Sequence, residues 1–250
     1  MHRERARYAA GTSELLGLEF APRPADGFVI ACRGILELSA IRRAPTATTV
    51  GAFVSLDALI AEAPDIVPVG TSIHAARLRL SLLDATVRVA GLGRTRVAPV
   101  DTLVLAPHEL PIEIEIPPVP SGIGFGDRGR RTNDGAASFT LGVSVALRAS
   151  ALGRFERVRI FVDFDGVIAR APLAEAKLEK QRLDPGLFAE AARLAAYAID
   201  AIDERTSAAV RAVTPLALAA LRDALLAARP VESEPARRAR APKPQKRRLF

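Results

Sequence analysis

Gly11, Thr12 and Ser13, inside the segment AAGTSELL at residues 9–16, are the first positions whose types and spacing could hold a ligand. A glycine followed by two hydroxyl residues lets successive backbone N–H groups converge in a tight turn, a geometry suited to a doubly charged diphosphate. The same three residues also make an ordinary turn or helix cap, and both readings stay open on local grounds. Metal chemistry finds less support. The one cysteine, Cys32, and the three scattered histidines, His2, His74 and His108, show no metal-ligand spacing. A lone cysteine forms no internal disulfide, and iron, zinc or molybdenum held by this chain itself is not expected.

The elements that would position such a loop divide near Thr102. Before it, short apolar runs broken by turn residues (FVIACRG, ILELSAI, TTVGAFV, ATVRVAG) read as strands and short helices of an α+β domain over residues 1–103. After it, a second domain over 104–228 opens with three strand candidates, IEIEIP at 112–117, ASFTLGVSVALR at 137–148 and RVRIFVDF at 157–164, and continues almost entirely as helix. Ile112, Ile114 and Ile116 alternate with Glu113 and Glu115, which places one face on a core and one in water, an antiparallel signature. Asp184 before Pro185 marks a helix start, with Phe188, Ala192, Ala195, Ile199 and Ile202 on one face. Thr214 and Pro215 repeat the device for a further helix lined by Leu218, Leu221 and Leu225 and closed by Pro230. A small sheet covered by a few helices is expected, and no internal repeat is evident.

With 250 residues, 49% of them hydrophobic, and a mean hydropathy of +0.17, the chain is expected to bury one large or two small cores. No run of eighteen uncharged apolar residues exists, and MHRERARYAA has no apolar stretch after it, so no membrane span and no secretory signal are expected and the expected compartment is cytoplasmic. The net charge of +7 belongs to the tail. Arg237, Arg238, Arg240, Lys243, Lys246, Arg247 and Arg248 stand there with no acid among residues 236–250, which leaves the body neutral and weakens any nucleic-acid reading. Pro235, Pro242 and Pro244 oppose a helix, so residues 229–250 read as a solvated basic, disordered extension, either without a specific ligand or docked on an acidic partner.

FVDFDGVIA, with Asp163 and Asp165, resembles the first motif of haloacid dehalogenase-type phosphatases, where the first Asp is a nucleophile, the second a general acid, and magnesium bridges them. That fold needs several further parallel strands carrying a hydroxyl residue, a lysine and a late acidic pair, and the nearly all-helical remainder has no place for them. Asp165-Gly166 is also a common turn dipeptide, the competing and favoured reading.

Four segments in one order carry a wider resemblance: APHELPIEIEIP, GRRTNDGAASFTLGVSVALR, RLDPGLFAEAARLAAYAIDAIDERTSAAVR and PLALAALRDALLAA. Together they resemble the C-terminal domain of the FAD-binding medium subunit of molybdenum hydroxylases, the family of carbon monoxide, xanthine and aromatic-acyl dehydrogenases. The resemblance implies an α+β chain, a shortened PCMH-type FAD-binding domain followed by a small antiparallel sheet covered by helices. It implies that Ala9, Ala10, Gly11, Thr12 and Ser13 form the first diphosphate loop, altered from the family's pattern at Ala10, Ser13 and Glu14. Of a second glycine-rich loop only Gly70 and Thr71 remain. Arg130, Arg131, Asp134 and Ala136 match the family's pattern where the second domain approaches the isoalloxazine ring, and a cation there would stabilise negative charge at its N1 and C2 carbonyl edge. A loop salt bridge is the plainer role for those residues. Asp200, Ile202, Asp203, Ser207 and Arg211 fall on a family segment whose expected role is packing or interface.

The implied function is an FAD-binding electron-transfer subunit of a molybdenum-dependent hydroxylase or dehydrogenase complex. Electrons would arrive from iron-sulfur centres and leave through flavin, an oxidoreductase component partnered by a molybdopterin-binding large subunit and a 2Fe-2S small subunit. The alternative is a flavin-free structural or assembly subunit of such a complex, since part of the flavin site is missing.

Overall fold

The computed structural model describes residues 6–9, 11–16, 18–20, 28–31, 35–91, 93–106, 109–134, 137–182, 184–200 and 207–228. Strand β1 (Ala6–Ala9) is followed by β2 (Gly11–Ser13), which pairs antiparallel with β3 (Leu18–Phe20), while β1 pairs in parallel with β4 (Phe28–Ala31). Between β2 and β3 a single 3-10 turn, Glu14–Leu16, buries Leu15 and Leu16 among Leu59, Leu80 and Ile114. Gly11, Thr12 and Ser13 thus form a strand where a tight turn was expected, and the two adjacent leucines anchor the 3-10 turn after it in the first core.

The first large sheet contains β5 (Ile41–Arg43), β6 (Thr48–Gly51), β7 (Thr86–Gly91), β8 (Arg94–Pro99) and β9 (Leu110–Ile116), in the order β5-β6-β9-β7-β8 with every pairing antiparallel. The strand around IEIEI is therefore the centre of this sheet, and the first sheet extends to Ile116, beyond the boundary at 103/104 read from composition. Ile114 and Ile116 face the core as their alternation implies, and Glu115 is exposed. Glu113 departs from expectation. It is 6% exposed and ion-paired to Arg42 of β5 and Arg88 of β7, whose side chains close over the outer face of the sheet. Helices α1 (Leu56–Glu62) and α2 (Ile73–Leu82) are each started by a serine, Ser55 and Ser72, whose Oγ accepts from the backbone N–H three residues on.

The second sheet is an antiparallel meander of β10 (Ile123–Asp134), β11 (Ala137–Ala149), β12 (Phe155–Phe164) and β13 (Val167–Arg170). Helices α3 (Pro172–Leu178), α4 (Pro185–Ala195), α5 (Tyr197–Asp200) and α6 (Ser207–Ala227) follow it, and the main second core joins Val143, Val145, Ile160 and Val162 to Phe188, Ala192, Ile199 and Leu221. A small antiparallel sheet covered by helices is what the sequence implied, and Asp184 caps α4 by accepting from Gly186 N at 2.8 Å. Thr214-Pro215 does not begin a new helix. α6 runs through Pro215, held down by Val213, Ala217, Ala220 and Leu221, all fully buried, so packing outweighs the cost of one absent helix hydrogen bond. Gly124 and Gly126 let this helix lie directly on β10: a Cβ on Gly126 would sit 2.0 Å from Ala220 O.

The other face of the second sheet is covered by α2. Leu78 and Leu82 pack there on Ala146 and Phe161, which makes α2 the element shared by the two sheets. Among the described residues no helix is long and apolar enough to cross a membrane. Cys32, His2, His108, Ile202, Asp203, Pro230 and the basic tail lie outside the described residues.

Candidate functional site

A cleft of about 340 Å³ opens where the N-terminus of α2 faces β10, lined by Pro68, Gly70, Thr71, Ser72, Ala75 and Arg79 on one side and Asp127 on the other. Thr71 closes the entering turn twice over, donating from Oγ1 to Pro68 O at 2.6 Å and from its backbone N at 3.2 Å. Gly70 takes φ +82°, a left-handed conformation that glycine adopts without strain, and nothing lies within 4 Å of where its Cβ would be. The turn therefore presents open backbone to the cleft, next to a helix start whose first N–H groups have no partner within the helix.

Arg79, two turns into α2, donates from Nε to Ile66 O at 3.2 Å and lays its guanidinium carbon 3.0 Å from the centroid of the Phe125 ring. Burial pulls its pKa down to about 10, against the opposing attraction of Asp127. The cleft thus combines a helix N-terminus and a desolvated cation with one carboxylate on the far wall. Such a set can hold an anionic group at its α2 side. The described lining residues offer backbone amides, the hydroxyls of Thr71 and Ser72 and one guanidinium, groups suited to binding an anion.

Gly70 and Thr71 are thus brought to one cleft. Ala9 ends β1 and Gly11, Thr12 and Ser13 form β2, and the turn that follows β2 packs through Leu15 and Leu16 against Leu80 of α2, the helix that supplies the cleft. Ala10 and Ala136 lie outside the described residues. The adjacent pair Arg130 and Arg131 is split by the period-two geometry of β10, whose pairing with β11 is unbroken from Ile123 to Asp134. Arg131 shares a face with Phe125 and Asp127, the cleft side. Arg130 shares the opposite face with Gly124, Gly126 and Arg128, and Arg128 pairs with Asp223 of α6. Asp134 closes β10 opposite Ala137.

The phosphatase reading of Asp163 and Asp165 fails on topology. β12 is antiparallel to both neighbours, and Asp165 and Gly166, with φ 48° and 86°, form a two-residue hairpin loop with the paired positive φ of a type I′ turn. Asp165 caps the neighbouring strand, accepting at Oδ1 from Thr140 N at 2.7 Å. Asp163 is 6% exposed; its Oδ1 accepts from Gly166 N at 2.9 Å, and its Oδ2 lies 2.5 Å from His74 Nε2. Sequence reasoning gave no role to His74 or Arg79. The available signal for His74 was a polar position, Asp163, in a strand otherwise ready for burial.

No protein-family model matches the sequence, and no curated protein matches it. Solved structures do. A chain of the carbon monoxide dehydrogenase from Hydrogenophaga pseudoflava lacking the Mo-pyranopterin moiety of its molybdenum cofactor aligns with TM-score 0.60 and 21% identity, over 80% of this chain and 83% of that one. A chain of a cyanide-inactivated Cu,Mo-CO dehydrogenase aligns with TM-score 0.65 and 20% identity, over 90% of this chain and 91% of that one. Quinoline 2-oxidoreductase from Pseudomonas putida 86 gives TM-score 0.57 and 19% identity, over 80% and 82%. The chain has the fold of these oxidoreductase chains, over nearly their whole length.

Proposed function

We propose that the chain is the flavin-binding subunit of a molybdenum hydroxylase-type complex, with the diphosphate of FAD at the N-terminus of α2 and the isoalloxazine end toward Arg131. The observation that carries this reading is the cleft itself: the residual second-loop residues Gly70 and Thr71 start the helix that faces β10, and Arg131 lies on the same face of that strand as Asp127. Arg131 is four steps along the strand from Asp127, about 13 Å. The shared fold of carbon monoxide dehydrogenase and quinoline oxidoreductase chains supports the complex, and the motif resemblance supports the flavin.

The donor set suits the group. Open backbone at Gly70, the Ser72-capped helix start and Arg79 all favour an anion, and a cleft of about 340 Å³ is at the small end of ligand sites, enough for part of a dinucleotide. Bound flavin would accept electrons one at a time from an iron-sulfur subunit and hand them on to an acceptor. The chain's own residues bind and orient it. In this reading the molybdopterin-binding large subunit and the 2Fe-2S small subunit are the partners.

Asp127 favours a second reading, a flavin-free structural or assembly subunit, because a carboxylate on the cleft wall opposes a diphosphate. The visible spectrum of the purified complex separates the two. The flavin reading expects a yellow preparation that releases FAD on denaturation and loses it when Gly11 or Thr12 is replaced by a bulky residue. A colourless chain that still copurifies with both partners establishes the second reading.

A further inference from the structure

α2 lies antiparallel along β12, and the contacts between them run in sequence order. His74 in the first turn of α2 meets Asp163, Leu78 and Leu82 meet Phe161, and past the helix end Leu82 O and Asp84 take Arg157. These β12 residues are separated by even numbers of positions, so all lie on the face turned away from the core formed by Val158, Ile160 and Val162. Asp163 is the most buried ionisable group on that face, its side chain 8% exposed, and the imidazole facing it comes from the other sheet's helix. Gly142, directly opposite Asp163 on β11, puts no side chain beside the carboxylate.

The place of this pair relative to the cleft gives it meaning. Gly70, Thr71 and Ser72 precede His74, Ala75 follows it, and all four line the cleft. A helix's first turn has the fewest internal hydrogen bonds and opens most readily. A tie from that turn to a buried carboxylate of another sheet opposes the opening, because separation would leave Asp163 Oδ2 without its partner. Nε2 donates whether the ring is imidazolium or the neutral Nε2–H tautomer, so the tie does not depend on a change of charge.

We infer that Asp163, acting through His74, is a positioning residue that holds the turn at residues 70–72 and the first turn of α2 in place along the cleft they line. The inference rests on the preceding reading only for the identity of the anion, the FAD diphosphate. The tie itself is a property of the folded chain.

Two substitutions distinguish a hydrogen bond from mere packing. His74→Gln keeps an N–H donor of similar reach, whereas His74→Leu keeps apolar bulk and loses the donor. Hydrogen exchange is expected to be at least about ten-fold faster at the hydrogen-bonded amides of Thr71, Ala75 and Ala76 in His74→Leu, with α6 unchanged, and close to wild type in His74→Gln. FAD titration is expected to follow the same order, with affinity about ten-fold weaker in His74→Leu only. Unchanged exchange in His74→Leu, or greater loosening in His74→Gln, overturns the positioning role, as does undiminished FAD affinity in His74→Leu. A wild-type chain that binds no FAD overturns the flavin reading instead, and the exchange comparison still decides the tie. The imidazole ¹⁵N spectrum of the wild type gives a reading independent of any variant: protonated Nε2 is expected, and an unprotonated Nε2 overturns the inference.

Discussion

Asp84 accepts two hydrogen bonds from Arg159, 2.8 Å onto Oδ1 and 3.1 Å onto Oδ2, and so fixes the C-terminal end of α2 to the second sheet. Arg157 adds a third, 2.9 Å onto Oδ2. Asp84 does this from φ 57°, a left-handed conformation that Asp and Asn tolerate and Ala does not. Asp84→Ala should therefore cost about 2 kcal/mol, combining backbone strain with a half-exposed ion pair. Asp84→Asn should cost about half as much, since Asn tolerates the left-handed backbone and keeps one accepting oxygen, while losing the charge and the second acceptor. Urea unfolding with unchanged m measures both, and equal losses would show that the backbone conformation contributes nothing.

Arg130 and Arg131 are neighbours in sequence and opposites in space, so they should differ in effect. Arg131→Ala should weaken FAD binding about ten-fold or more, the usual worth of a hydrogen bond to a charged group, while Arg130→Ala leaves it within about two-fold. Equal effects in a fluorescence titration would contradict the face assignment.

The strand that separates this pair was not legible: β10 is rich in glycine and charge, shows no apolar alternation around Arg130 and Arg131, and those residues read as a loop, whereas two other strands of the second sheet were readable. β11 and β12 fall close to where their apolar runs placed them, and Asp184-Pro185 starts α4. The position of β9 was not readable. Alternation reports which face of a strand is buried and says nothing of which strands flank it, and Glu113 is buried because Arg42 and Arg88 cover it from strands distant in sequence. Pro215 misled for a related reason: its local cost to a helix is visible, whereas the packing of α6 on Gly124 and Gly126 is not. In the cleft, Gly70 and Thr71 were marked by resemblance. Arg79 and Asp127 meet only through the docking of α2 on β10, which no local pattern encodes.

Gly126→Ala should destabilise the chain by about 3 kcal/mol, because its Cβ would meet the backbone of α6 at Ala220 O, and backbone yields less readily than a side chain. Gly70→Ala, at an open but left-handed position, should cost about 1 kcal/mol from strain alone. Thermal or urea unfolding orders the two, and the reverse order would contradict the described approach of α6 to β10.

Arg79 should behave as a residue kept for binding at some cost to stability. Burial lowers its guanidinium pKa to about 10 in the folded chain, below the ordinary arginine range, so above about 10 the unfolded chain holds more protons and stability gains as pH rises. Below about 10 both states are charged and the penalty is constant, so a pH scan from 7 to 9 should show no contribution from Arg79. Substitution exposes it instead: Arg79→Met should keep or raise the melting temperature and weaken FAD binding about ten-fold. A large loss of stability would show that the contacts with Phe125 and Ile66 O outweigh desolvation.

The backbone ¹H–¹⁵N shifts of residues 70–75, followed as FAD is added to the purified chain, report most directly on whether the start of α2 receives the diphosphate. The expected result is a saturable shift of the Gly70 and Ser72 amides, reproduced in direction by ADP. Saturable FAD binding that leaves these amides unmoved, or no binding at all, would contradict the assignment.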